Sequence, residues 1–134
     1  MSRKVARDYT YKLIFEYSFS KTLNKDTFDL FCMTDVDQTD VEYMKKVYTG
    51  VAEHYDELLE TISKYSYGFN LDRIYRQDLC EMLLAIYEMK YMDDIPLSVS
   101  INEAVVLVKK YSTEKSNSFV NGILSSVYKE LKKE

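Results

Sequence analysis

Apolar positions recur along most of this chain with the spacing of a helix face. Between Arg3 and Ser20, Ala6, Tyr9, Leu13 and Tyr17 fall three and four residues apart, which predicts one helix with that stripe inward. Asn24 to Met33 reads as a short helix turning Phe28, Leu30 and Phe31 inward, and Thr34 to Thr39 as a polar connection. Thr39 and Glu42 have capping-box spacing and open a predicted long helix from Asp40 to Tyr65. Val41, Met44, Val47, Tyr48, Val51, Tyr55, Leu58, Leu59 and Ile62 keep the helical period throughout that segment. Gly68 breaks the pattern, and Phe69 to Arg73 reads as a connection. Arg76 to Tyr91 is apolar almost all round between Met82 and Tyr87, the mark of a central buried helix. Its polar edge, Asp78, Glu81 and Glu88, reads as a solvated rim.

After Pro96, Ser100 and Glu103 form a second capping box. Ile101, Ala104, Val105, Val108 and Tyr111 then trace one helix face. A polar break from Ser112 to Asn117 leads into a last helix with the stripe Val120, Ile123, Leu124, Val127 and Leu131. The predicted class is all-α; no alternating run supports strands.

Length and composition narrow this further. The 134 residues suit one domain able to bury a real core. Cys32 and Cys80 match no metal or redox spacing and read as reduced thiols of a cytoplasmic protein. Neither a signal peptide nor an apolar run long enough to span a membrane is present. The net charge of −4 is unevenly spread. Residues 1–25 carry six Lys/Arg against two Asp/Glu, and residues 109–134 six against three. The middle is acidic. If the two ends meet, they form a basic patch on an acidic protein.

Catalysis finds no support in the residue pattern. The single histidine, His54, sits among Glu53, Asp56 and Glu57 in a polar helix face and reads as a surface residue. Gly50, Gly68 and Gly122 do not form a phosphate loop, no cluster has zinc-ligand spacing, and no cofactor is implied. What remains is binding chemistry. Lys4, Arg7, Tyr11 and Phe15 fall opposite the first stripe. Cations there can neutralise phosphates and aromatic faces can stack on unpaired bases, or the aromatics pack against another helix. Phe119 lies at the margin of the last stripe, beside Lys115, Ser116 and Asn117. It either stacks on a base near helix-start amides that can hold a phosphate, or staples the helix entry onto a neighbour.

Several motifs carry a family resemblance. "IPLSVSINEAVVLVKKY" followed by "SNSFVNGIL" resembles the NusB family of transcription antitermination factors, which writes a Pro, an INEA helix start and an FVNG helix start here. "FNLDRIYRQDLCEMLLAIYEM" resembles the family's LDRI segment and LA-x-YE helix, and "ARDYTYKLIFEY" its first helix. The resemblance implies two three-helix bundles packed crosswise, about residues 1–65 and 66–134, in one domain. It implies a non-enzymatic adaptor that pairs with the ribosomal protein NusE and binds the boxA element of ribosomal RNA leaders. With RNA polymerase, that pair suppresses premature termination. Arg3, Lys4, Arg7, Tyr11, Phe15, Lys115, Ser116 and Phe119 would form the RNA surface; Asp72 and Asp78 would face NusE. Only Arg3, Lys4 and Arg7 represent the arginine-rich N-terminus of family members. A homodimer covering Phe15 is a further implied state without the partner. Two rival readings are a module like the N-terminal part of ribosomal RNA cytosine methyltransferases, and a helical scaffold with no RNA role.

Overall fold

The computed structural model describes residues 3–34, 36–67 and 70–132, and all regular structure among them is helical. Seven α-helices follow in order: α1 Arg3–Ser20, α2 Lys25–Cys32, α3 Gln38–Glu53, α4 Tyr55–Tyr65, α5 Arg76–Tyr91, α6 Leu97–Tyr111 and α7 Glu114–Lys132. A single 3₁₀ turn, Leu71–Arg73, precedes α5. Gly68 and Phe69, where the sequence predicts a break, lie outside the described residues.

The pattern places α1 and α5 correctly, while other helix boundaries differ for identifiable reasons. Asp37, and not Thr39, caps α3: its Oδ1 accepts from the Asp40 amide at 2.8 Å. Aspartate is the stronger N-cap, so the helix begins earlier. The predicted long helix is in fact two. His54 leaves helical geometry (φ −105°, ψ 21°) and divides α3 from α4. The bend lets α4 pack on α5 and α7, burying Leu58 and Ile62 completely. In α2, Leu30 is exposed although predicted inward, because the face that packs on the core carries Phe28, Phe31 and Cys32. α6 starts a turn before Ser100, whose hydroxyl is taken by a buried acid. α7 starts before FVNG, inside the predicted polar break, with Thr113 Oγ1 accepting from the Ser116 amide at 3.2 Å.

The core forms around α5, which touches α1, α3, α4, α6 and α7. Every residue from Asp78 to Met89 is buried. Leu83, Ile86, Leu124, Ile62 and Leu13 are among the fully enclosed side chains. Each such side chain contributes roughly 1.5–3 kcal/mol by leaving water.

This enclosure overturns the solvated rim. Glu88 is 0% exposed. It accepts two bonds from Arg7, Nε to Oε2 at 2.9 Å and Nη2 to Oε1 at 3.1 Å. Tyr43 OH donates to Oε2, and Ser100 Oγ to Oε1 at 2.8 Å. Arg7, read as part of an outer face, is only 5% exposed. Helix α1 buries a second side against α5, so its stripe is wider than Ala6, Tyr9, Leu13 and Tyr17. Glu81 is also fully enclosed, with neither carboxylate oxygen hydrogen-bonded among the described residues. Burial, with Asp78 and Asp8 nearby, pushes its carboxyl up to about 9, so it is neutral at pH 7.

Candidate nucleic-acid interface

The predicted RNA residues divide into an outer and an inner set. At the N-terminal end of α1, Lys4 is exposed. Arg3 is half-buried, paired to Asp40 at 3.2 Å and stacked over the Tyr43 ring at 4.4 Å. Phe15 lies about 18 Å further along the helix at 1.5 Å per residue. Arg3 and Lys4 are therefore well separated from the remaining candidates, apart from Arg7, whose guanidinium is held by Glu88.

Those other candidates gather where the middle of α1, the start of α5, the end of α6 and the start of α7 approach one another. Tyr11 is buried and stacks on Tyr111 at 5.1 Å. Burial, then the proximity of Glu81, holds its phenol well above the usual range. Phe15 is half-buried and meets Tyr11 at 6.1 Å. Asp8 organises the adjoining charges: it accepts from Tyr111 OH at 2.5 Å and pairs with Lys12 at 3.2 Å and Lys110 at 3.7 Å. Lys12 and Lys110 remain largely exposed above this anchor.

Phe119 and Lys115 occur one turn apart on α7, so both reach the same cleft. This cleft, of about 240 Å³, is lined by Arg73, Tyr75, Asp78, Lys115, Ser116 and Phe119, with Ile74 beneath. Lys115 is exposed, and Phe119 is half-buried against the core. Ser116 is enclosed instead of facing a phosphate; Ser112 Oγ donates to its Oγ at 2.9 Å within the α7 cap. Asp78 is 2% exposed, and its Oδ1 has no hydrogen-bond partner among the described residues. Asp72 is exposed on the 3₁₀ turn. The cleft thus joins an aromatic wall, a cation and a carboxylate acceptor. It can stack a planar group and meet a negative charge.

Residues 4–129 match the model of the NusB family. The chain belongs to this family. It is 42% identical to the transcription antitermination protein NusB of Acetivibrio thermocellus, over 96% of this chain and 90% of that protein. NusB of T. maritima superposes with a TM-score of 0.89 at 30% identity, covering 97% of this chain and 92% of that one. A crystal structure of antitermination factors NusB and NusE in complex with double-stranded RNA matches with a TM-score of 0.84 at 26% identity, covering 96% of each chain.

Other predicted sites resolve differently. His54 is half-buried, stacked on Tyr91 at 4.4 Å with Nδ1 3.0 Å from Glu57. Among the described residues no cluster of three or more His, Cys, Asp or Glu could hold a metal ion. Cys32 and Cys80 are unpaired thiols, and burial pushes Cys80 up to about 12. No helix among the described residues is long and apolar enough to cross a membrane. Sequence reasoning overlooked Phe19 and Arg76, which meet at 4.4 Å, and Tyr75, which lines the cleft. A signal for the first was available, since Tyr11, Phe15 and Phe19 are spaced four apart.

Proposed function

We propose that this NusB-family chain is a transcription antitermination factor that acts in the cytoplasm by binding alone, without catalysis. It pairs with NusE, and the pair holds the boxA element of ribosomal RNA leader transcripts. In company with RNA polymerase, this suppresses premature termination. The cleft at the start of α7 is the observation that carries the reading, because it sets an exposed Lys115 beside Phe119. Single-stranded RNA needs those two groups: a cation for the phosphate and a ring for the unstacked base.

The predicted residues take separate roles. Lys115 and Lys4 meet phosphates, and Arg3 joins them by exchanging Asp40 for a phosphate oxygen. Phe119 and Phe15 stack on bases. Tyr11 and Ser116 support those groups from behind, and Arg7 fixes the position of α1. Asp72 faces the basic partner, where charge complementarity favours encounter, and the buried Asp78 adds its negative charge from behind that surface.

Binding of a boxA RNA and a scrambled control, with and without NusE at fixed near-physiological salt, tests this. We expect a boxA preference that NusE tightens. Phe119→Ala should weaken binding roughly 5- to 100-fold, as loss of one stacked base implies. Lys115→Glu should weaken it at unchanged helicity. Charge reversal at Arg7 is unsuitable as a test because it would also break the buried pair. Equal affinity for both RNAs in the presence of NusE would refute the assignment.

A further inference from the structure

The aromatic row on α1 does not end at Phe15. Tyr11, Phe15 and Phe19 stand at i, i+4 and i+8, one above another on the same helix face. Exposure rises along the row, from buried Tyr11 through half-buried Phe15 to Phe19 at 62%.

Phe19 is nevertheless held in place. Phe15 meets it edge-on, with centroids 5.2 Å apart and planes at 69°. The guanidinium of Arg76 lies 4.4 Å from the Phe19 ring centre. Arg76 is itself fixed, because Nη1 donates to the Ser18 carbonyl at 3.0 Å. Phe15 and Arg76 therefore each cover part of the ring, and at 62% exposure the remainder is open to a ligand. A ring fixed in this way loses little conformational freedom on binding.

Its surroundings indicate the class of ligand. Arg76 directly follows Tyr75, which is 60% exposed and lines the Phe119 cleft. Arg73 and Lys115 line the same cleft, with Asp72 the exposed acid on the neighbouring turn. An exposed strip of rings and guanidinium groups suits a polyanion carrying planar bases better than an apolar protein segment.

We propose that Phe19, clamped by Arg76, is a further base-stacking position that carries single-stranded RNA past the Phe119 cleft along the start of α5. This rests on the RNA-binding reading above. A base against the exposed part of Phe19 would have the Arg76 cation at the same ring and close to its own phosphate.

The test measures affinity of the protein–NusE complex for a boxA RNA and for versions shortened stepwise from each end. Phe19→Ala should weaken binding of the full RNA roughly 5- to 100-fold. Phe19→Trp should restore it. Arg76→Gln should also weaken it and lower the salt slope by about 0.7. Shortening the RNA from one end should abolish the effect of Phe19→Ala before that of Phe119→Ala. The proposal is overturned if Phe119→Ala weakens binding while Phe19→Ala leaves every RNA within twofold. It is also overturned if Phe19→Ala weakens capture of NusE but not of RNA by the isolated protein, which would assign the ring to the protein partner. If wild type itself shows no boxA preference, the RNA reading fails and this position with it.

Discussion

Replacing Arg7 with methionine separates a structural arginine from a phosphate-binding one. The side chain keeps similar length and apolar stem but loses its charge and both bonds to Glu88. Glu88 would remain fully enclosed, with only Tyr43 and Ser100 donating to it. Breaking a buried pair by removing one partner costs about 3–5 kcal/mol. Two surviving donors place the expected loss near the lower end, about 3 kcal/mol. For a chain of this length that corresponds to a fall in Tm of about 10 °C. A protein with the usual 5–15 kcal/mol of stability stays folded at room temperature after such a loss. Urea unfolding followed by circular dichroism gives the change, provided the m-value is unaltered. Arg7→Met/Glu88→Met should recover much of the loss, since two apolar groups replace the pair, with a coupling energy of about 2 kcal/mol. RNA affinity of folded Arg7→Met should remain within about twofold of wild type. A stability change below about 1 kcal/mol, combined with a tenfold loss of RNA affinity, would refute the buried pairing and return Arg7 to the RNA surface.

The two helical glycines should respond in opposite directions to alanine. A Cβ on Gly50 would run into the Tyr87 ring, so Gly50→Ala should cost about 1–3 kcal/mol in chemical denaturation. A Cβ on Gly122 would meet nothing within 4 Å outside its own helix among the described residues, so Gly122→Ala should gain up to about 1 kcal/mol. Glu81 provides a pH signature. Its carboxyl ionises near 4.5 when unfolded and near 9 in the fold, so protonation favours the folded state. That contribution is complete below about pH 4.5 and is lost as pH rises to about 9. Glu81→Gln should therefore gain on wild type as pH rises through this window, and parallel stability curves would refute it.

Much of the architecture was legible from periodicity, because an apolar stripe needs only some neighbour to bury it. The limits of α1 and α5, and the stripe Val120, Ile123, Leu124 and Val127, follow from local spacing alone. Caps were less legible: Asp37 and Thr39 both offer a capping oxygen two residues apart, and the stronger acceptor, Asp37, takes the position. The split at His54 was invisible, since α3 and α4 continue one apolar period and only their packing against α5 and α7 requires a bend.

The polar residues show where sequence information ends. Arg7, Asp78, Glu81 and Glu88 have the composition of a solvated surface, and helical spacing places them beside apolar stripes. Whether such a residue meets water depends on how many other helices surround its own. By itself, the sequence determined six amphipathic or apolar segments, one of which the fold divides, and the motifs of a family. Only the tertiary structure decided that α5 is enclosed on every side, which turns Arg7 and Glu88 into a buried pair and leaves Lys115, Phe119 and Phe19 outside. The physical reason is that burial belongs to contacts between distant segments, Arg7 with Glu88 across 81 residues, which no local pattern encodes.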